Sequence, residues 1–363
     1  MSISIRQLAA EHFVVGFKET SFTLSLQKWI QENRWGGYIL FSENYESPQQ
    51  LYQLCQGIKK EYPAPPFLSV DQEGGPVLRF REKFTKLPSA RDIGKAYGRS
   101  KNVSCAYQCG TIAAKELATV GINWDLAPVL DASNNPENTV IGGRAFSDKP
   151  YVVSVLGLAF IAGLQDNGVM ACGKHFPGHG CTTEDSHHVL PRVEYSSQRL
   201  ATMEMEPFLR AIENGIFSLM TAHVLYPNLD SEKPASLSKK IQTQLIRKQK
   251  RFEGILVTDD LAMKAITLHQ SIPEATLDAI LAGTDMVLLR GDSDAQASAL
   301  AAVTQEAERS PAFRSKLENS SHRLQRIQKE YLSRRNEYEG NLSLIGCPDH
   351  QNYIVELLEG YET

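Results

Sequence analysis

Short apolar runs alternate with longer amphipathic stretches along most of the chain. The runs at 12–17 (HFVVGF), 37–41 (GYILF), 66–71 (PFLSVD) and 123–131 (NWDLAPVLD) read as four strands. Those at 168–173 (GVMACG), 218–225 (SLMTAHVL), 254–259 (GILVTD) and 285–290 (DMVLLR) read as four more. Between them, helical spacing is expected near 22–33, 48–61, 100–119, 150–166, 197–214, 236–249 and 271–283. Ser47-Pro48 has the form of a helix start, and Gly215 and Gly283 stand where helices should stop. Strands this apolar need cover on both faces, which predicts a parallel sheet flanked by helices. Eight such units predict an α/β fold, a closed (β/α)8 TIM barrel, although an open doubly wound sheet gives the same periodicity.

The stretch from 71 to 123 is too long for a loop and helix, so part of it is expected to fold over the barrel mouth. After the eighth strand come helical patterns at 295–308 and 311–339 and a short tail helix near 353–358. No linker, repeat or low-complexity tract interrupts the chain. A single domain over 1–363 is therefore expected, with the barrel at about 12–309 and appended helices at about 310–363.

Composition narrows the function little. The 363 residues, 42% of them hydrophobic, can fill a large core, and a net charge of -4 offers no basic field to nucleic acid. No apolar run reaches the roughly 18 residues of a membrane span, and the N-terminus lacks a signal-peptide pattern. The six cysteines are scattered, with no metal-ligand pairing. Cys105 and Cys109, one helical turn apart, read as packing residues. A reducing cytoplasm and a monomer are expected, with no membrane or nucleic-acid partner.

The chemistry gathers in KHFPGHGCTTEDSHHVLP, from Lys174 to Pro191, directly after the fifth strand. Barrel enzymes place their reacting groups at the C-terminal ends of strands. Asp185-Ser186-His187 sets a carboxylate two residues from an imidazole, close enough in a turn to orient it. An oriented His is a good acid–base group because its reference pKa is about 6.5. Gly178 and Gly180 flank this segment, so the loop is expected to move. Other strand ends carry Asp71, Arg79, Asp131, Arg144, Lys174, His175, His223 and the pair Asp259-Asp260. Each alone could be a cap or a rim ion pair. Together they suit a ligand with many hydroxyls, since Asp accepts from hydroxyls while Arg and Lys donate to them. A further carboxylate facing an acid–base group is the arrangement of a retaining glycosidase.

VDQEGGPVLRF, IGGRAF, KHFPGHG, DSHHVLP, MTAHVLYP and VTDDLAM, in this order, resemble glycoside hydrolase family 3. The likeness runs from about Gly16 to Gly291 and is greatest to the single-domain β-N-acetylglucosaminidases of peptidoglycan recycling. It implies a barrel, retention of configuration and a glycosyl-enzyme formed on Asp259. It also implies that His187 is the general acid–base and Asp185 its orienting partner. Asp71, Arg79, Arg144, Lys174 and His175 match sugar-binding positions, with His223 and Asp131 as possible supports. The implied substrate is a carbohydrate, GlcNAc β-linked to anhydro-MurNAc with or without a stem peptide, and no cofactor or metal is implied. Family members acting as β-glucosidases take their acid–base carboxylate from a second domain. The stretch after 290 is too short to hold one, so the donor is expected from the DSH loop. The sequence departs from the family pattern at Pro76, Gly143 and Cys181, and Cys181 reads as a small loop residue.

Three other readings stay open. His175, His179, Cys181, Asp185, His187 and His188 could suggest a metal-dependent hydrolase, although the first strand lacks the His-x-His pair usual in such barrels. A non-catalytic sugar-binding protein would need neither Asp259 nor the Asp185–His187 pair. A phosphorylase on the same scaffold would discharge the intermediate with phosphate, which a neutral His repels less than a carboxylate does.

Overall fold

The strands close into a barrel because each is apolar on both faces and each finds a parallel neighbour on either side. The computed structural model describes residues 4–332 and 336–359. Its strands are β1 (Phe13–Gly16), β2 (Gly37–Leu40), β3 (Phe67–Val70), β4 (Gln72–Gly74) and β5 (Val77–Leu78). They continue with β6 (Trp124–Asp125), β7 (Met170–Phe176), β8 (Ser218–Thr221), β9 (Ile255–Thr258) and β10 (Val287–Leu289). Eight of them form one parallel sheet in the order β10-β1-β2-β3-β6-β7-β8-β9, and a Val257–Met286 bridge joins the two ends. The expected (β/α)8 barrel is what the chain forms.

Val14, Ile39, Phe67, Trp124, Met170, Cys172, Ile255, Val257, Met286 and Leu288 belong to one buried cluster that fills the barrel interior. Trp124 Nε1 donates to Ser218 Oγ at 2.8 Å, so the largest interior side chain is satisfied without water. A second, larger cluster lies between the sheet and the surrounding helices. No helix among the described residues is long and apolar enough to cross a membrane.

The elements differ from the sequence reading where a local feature cuts them short. The fourth strand is regular only over Trp124–Asp125, because Pro128 has no N–H to continue the ladder; pairing resumes at a Val129–Lys174 bridge. The sixth ends at Thr221, which leaves His223 in the following loop. The fifth runs on to Phe176, so Lys174 and His175 lie inside the strand. The helix expected at 100–119 starts later, as Ser104–Thr119, with an unexpected helix Ala90–Ser100 before it, and that at 197–214 divides where Pro207 opens a new first turn. Part of the 71–123 connection does reach the mouth, as the β4–β5 hairpin. The tail helix is longer than expected, Pro348–Glu359, and residues 333–335 of the 311–339 pattern lie outside the described residues.

The appended helix Pro311–Ile327 is fastened by one buried carboxylate. Asp285 Oδ1 accepts from Ser320 Oγ at 2.7 Å and from Arg323 Nη2 at 2.7 Å; Oδ2 accepts from Leu256 N at 2.8 Å and from Arg247. Burial raises the Asp285 pKa, but Arg247 and Arg323 outweigh it and the net shift is downward. Asp285→Ala would leave both guanidiniums facing a void. It should cost on the order of 3 kcal/mol in urea unfolding. Because the carboxyl is held below its ordinary value, this stability is present above about pH 4 and is lost as pH falls through the folded value.

Candidate active site

Strand alternation aims one residue in two into the barrel. Met170 and Cys172 face the interior, so Lys174 emerges at its C-terminal mouth; Ile255 and Val257 do the same for Asp259. A register shift between Gly173 and Phe176 brings His175 to the mouth as well. The mouth holds a pocket of about 310 Å³. Ile39, Leu126, Met220 and Leu288 supply apolar lining, and polar groups from the ends of β3, β7, β9 and β10 and from the β4–β5 hairpin surround them.

Lys174 is the centre of a buried ion cluster. Its Nζ donates to Asp71 Oδ1 at 2.7 Å and to Glu73 Oε1 at 2.6 Å. Arg79 Nη2 reaches Asp71 Oδ2 at 3.0 Å, while Arg144 grips Glu73 with Nε at 2.9 Å and Nη2 at 2.8 Å. Burial pushes the Asp71 carboxyl up, yet Lys174 and Arg79 hold it well below the carboxylate range. For Glu73, Arg144 and Lys174 outweigh burial and bring it to about 2. Lys174 stays protonated, because Asp71 and Glu73 overcome the cost of its burial. The cluster is thus fully charged at neutral pH and presents fixed donors and acceptors to a hydroxylated ligand.

Asp131 and His223 hold the site from behind. Asp131 Oδ2 accepts from His175 Nδ1 at 2.8 Å, and Oδ1 accepts from His179 N at 2.6 Å. His223 lies below the pocket, its Nε2 donating to the Asp260 carbonyl at 3.0 Å, so Nδ1 accepts from Ser236 Oγ at 2.7 Å. It thereby fixes the Asp260–Leu261 peptide, one residue beyond Asp259.

The adjacent aspartates differ in environment. Asp259 is half-buried in the pocket wall and accepts from Asp260 N at 2.8 Å. Burial would raise its pKa, but His223, His175 and that N–H outweigh it, so the group stays ionised. Asp260 Oδ1 accepts instead from Ala262 N at 3.0 Å and Arg290 N at 3.2 Å, and burial pushes its carboxyl up to about 6. Two backbone N–H groups hold the Asp260 carboxyl, one from its own loop and one from Arg290, whereas Asp259 accepts a single N–H from its neighbour.

His187 lines the same pocket from the 177–192 loop. Its Nδ1 donates to Asp185 Oδ1 at 2.7 Å, and the same oxygen accepts its backbone N–H at 2.8 Å. That bond leaves Nε2 as the nitrogen able to exchange a proton. Burial raises the Asp185 pKa, but the two bonds from His187 more than offset it. The loop's glycines are there for fit: Gly178 has φ 136°, and a Cβ on Gly180 would stand 1.9 Å from the Ala132 carbonyl oxygen.

Each residue named from the sequence as catalytic, sugar-binding or supporting is therefore at or directly behind one pocket. Glu73 and Ser186 were missed, and His179 was weighed only as a metal ligand. Glu73 was findable, because it stands two residues after Asp71 in an extended stretch and so projects to the same side. Cys181 is buried with its thiol pushed up to about 12, an inert loop residue as expected. Among the described residues no three His, Cys, Asp or Glu side chains gather as metal ligands.

Known proteins with this architecture carry glycosidase names. Residues 4–327 match the Glycosyl hydrolase family 3 N terminal domain. The chain is 39% identical over 261 residues to a beta-hexosaminidase of Methylobacillus flagellatus, which covers 71% of this chain and 74% of that protein. A family 3 beta-N-acetylglucosaminidase from Paenibacillus superposes with a TM-score of 0.90 at 31% identity, over 98% of this chain and 68% of that one. Native NagZ from Neisseria gonorrhoeae superposes with a TM-score of 0.81 at 29% identity, over 97% and 98% of the two chains. Barrel, pocket and relatives together define a glycoside hydrolase. The chain belongs to glycosyl hydrolase family 3.

Proposed function

We propose that the protein is a retaining, exo-acting β-N-acetylglucosaminidase. The observation that carries this reading is one pocket holding two groups of complementary state: an ionised Asp259 and a His187 oriented by Asp185. Asp259 attacks the anomeric carbon, the glycosidic C–O bond breaks, and His187 Nε2–H gives its proton to the departing oxygen. Water then attacks the same carbon and loses its proton to His187, and the Asp259 ester bond breaks. Two inversions give net retention. Asp71, Arg79, Arg144, Lys174 and His175 hold the sugar's hydroxyls.

Sugar identity is supported by the relatives' names, beta-hexosaminidase and beta-N-acetylglucosaminidase. The natural substrate on this reading is a peptidoglycan fragment, GlcNAc on anhydro-MurNAc with or without stem peptide, and its place is the cytoplasm. All six cysteines are free, which suits a reducing compartment. Following 4-nitrophenyl β-N-acetylglucosaminide by proton NMR tests the assignment. Free β-GlcNAc should appear before its α anomer, with phosphate leaving product and rate unchanged. GlcNAc 1-phosphate as the product would mean phosphorolysis, and α-GlcNAc first would mean inversion.

The two steps use only side chains and water for attack and proton transfer. Activity should therefore survive exhaustive EDTA treatment, measured as the rate on the same substrate. A loss restored by added Zn²⁺ would overturn this.

A further inference from the structure

We propose that His179 and Ser186 form a latch that sets the position of the His187 loop, which makes them positioning residues for the proton donor. This rests on the donor role given to His187 above. Within 183–190 only Ser186 is buried; its neighbours Asp185 and His187 are partly or largely exposed. The one inward residue of this stretch is thus the one beside the donor.

Ser186 is held from two sides. Its hydroxyl meets His179 Nε2 at 3.1 Å, and its carbonyl accepts from Ala265 N at 3.2 Å in the short helix Lys264–Thr267, which follows the Asp259-Asp260 segment. The loop bearing the donor is therefore tied to the loop bearing the nucleophile. His179 is a firm anchor, because its backbone N–H donates to Asp131 and its carbonyl accepts from Asn138 Nδ2 at 2.8 Å.

The hydrogen-bond directions can be assigned. Thr182 Oγ1 donates to a backbone carbonyl, His179 O at 3.1 Å or Glu184 O at 3.3 Å, so it accepts from His179 Nδ1–H at 2.9 Å. Nε2 then carries the lone pair and accepts the Ser186 hydroxyl proton. Burial, aided by neighbouring His175, pushes the His179 pKa down to about 4, which keeps this neutral form in place at working pH. A neutral imidazole with both nitrogens occupied is suited to hold a partner and not to exchange protons with a substrate.

Ser186→Ala tests the latch with little change of volume. The readout is kcat/KM over aryl β-N-acetylglucosaminides of rising leaving-group pKa, with a disaccharide as the poorest leaving group, beside thermal melting. A misplaced donor should lower the disaccharide rate by about 10-fold or more and leave the dinitrophenyl glycoside nearly unchanged. Melting should stay close to that of the unmodified protein. His179→Gln should show the same slope, and the double variant should be no worse than His179→Gln alone. An equal loss on every substrate, or no loss on any, overturns the latch. His187→Ala run in parallel separates the two claims. If it shows leaving-group dependence and Ser186→Ala does not, the latch alone fails. If His187→Ala shows none, the donor assignment falls and the latch with it.

Discussion

Asp259→Ala should lose turnover of disaccharide and aryl glycoside alike, by on the order of 10⁵-fold, because both need the nucleophile in the first step. The variant should fold, since among the described residues Asp259 forms no ion pair that would be left broken, and its bond from Asp260 N is local. Azide should restore part of the rate on an activated aryl glycoside. It would enter from the side Asp259 vacates and give the α-glycosyl azide, opposite in configuration to the substrate. Asp260→Asn should behave differently. Its carboxylate serves as an acceptor for the Ala262 and Arg290 N–H groups, and the Asn side-chain oxygen can keep both bonds. Turnover should survive in that variant.

His187→Ala should split substrates by leaving group. Such a donor is worth about 10²–10⁴-fold when the departing oxygen is a poor leaving group. A sugar alkoxide needs the proton, whereas a nitrophenolate leaves without it. The disaccharide should therefore suffer most of that loss, and formation of the glycosyl-enzyme from an activated aryl glycoside little of it. Azide should then speed discharge of the intermediate and yield the β-glycosyl azide. Asp185→Asn should give a milder form of the same pattern, because Asp185 orients His187 and stabilises its charge. An equal loss on both substrates in a folded His187→Ala protein would place the donor elsewhere.

Much of this site was legible because its parts are local. The Asp185–His187 pair needs only a two-residue turn, and eight apolar runs separated by helical patterns suffice to expect the barrel. What escaped depends on direction and on distance along the chain. Both faces of β9 are buried, so its pattern could not say which of Asp259 and Asp260 faces inward. Only the barrel interior, where Ile255 and Val257 lie, chooses Asp259. The fourth strand was drawn too long because NWDLAPVLD is apolar throughout, while Pro128 interrupts its hydrogen bonding. Helix 100–119 absorbed a break that only backbone geometry reveals: Lys101 takes φ 56° and ends the preceding helix. The purpose of the appended helix was not legible, because its fastening, Arg323 to Asp285, joins residues with no sequence pattern in common. Ser186 was invisible for a related reason. A serine in a polar loop signals nothing until His179, seven residues earlier, is seen to receive it.

The measurement closest to the central claim is covalent labelling by a 5-fluoro N-acetylglucosaminyl fluoride. The fluorine slows both steps, while the good leaving group lets the first proceed, so the glycosyl-enzyme should accumulate. Digestion and mass spectrometry should then find one sugar per chain, on the peptide carrying VTDDLAM, attached to Asp259. Attachment to Asp260, or to any residue outside β9 and its loop, would contradict the account.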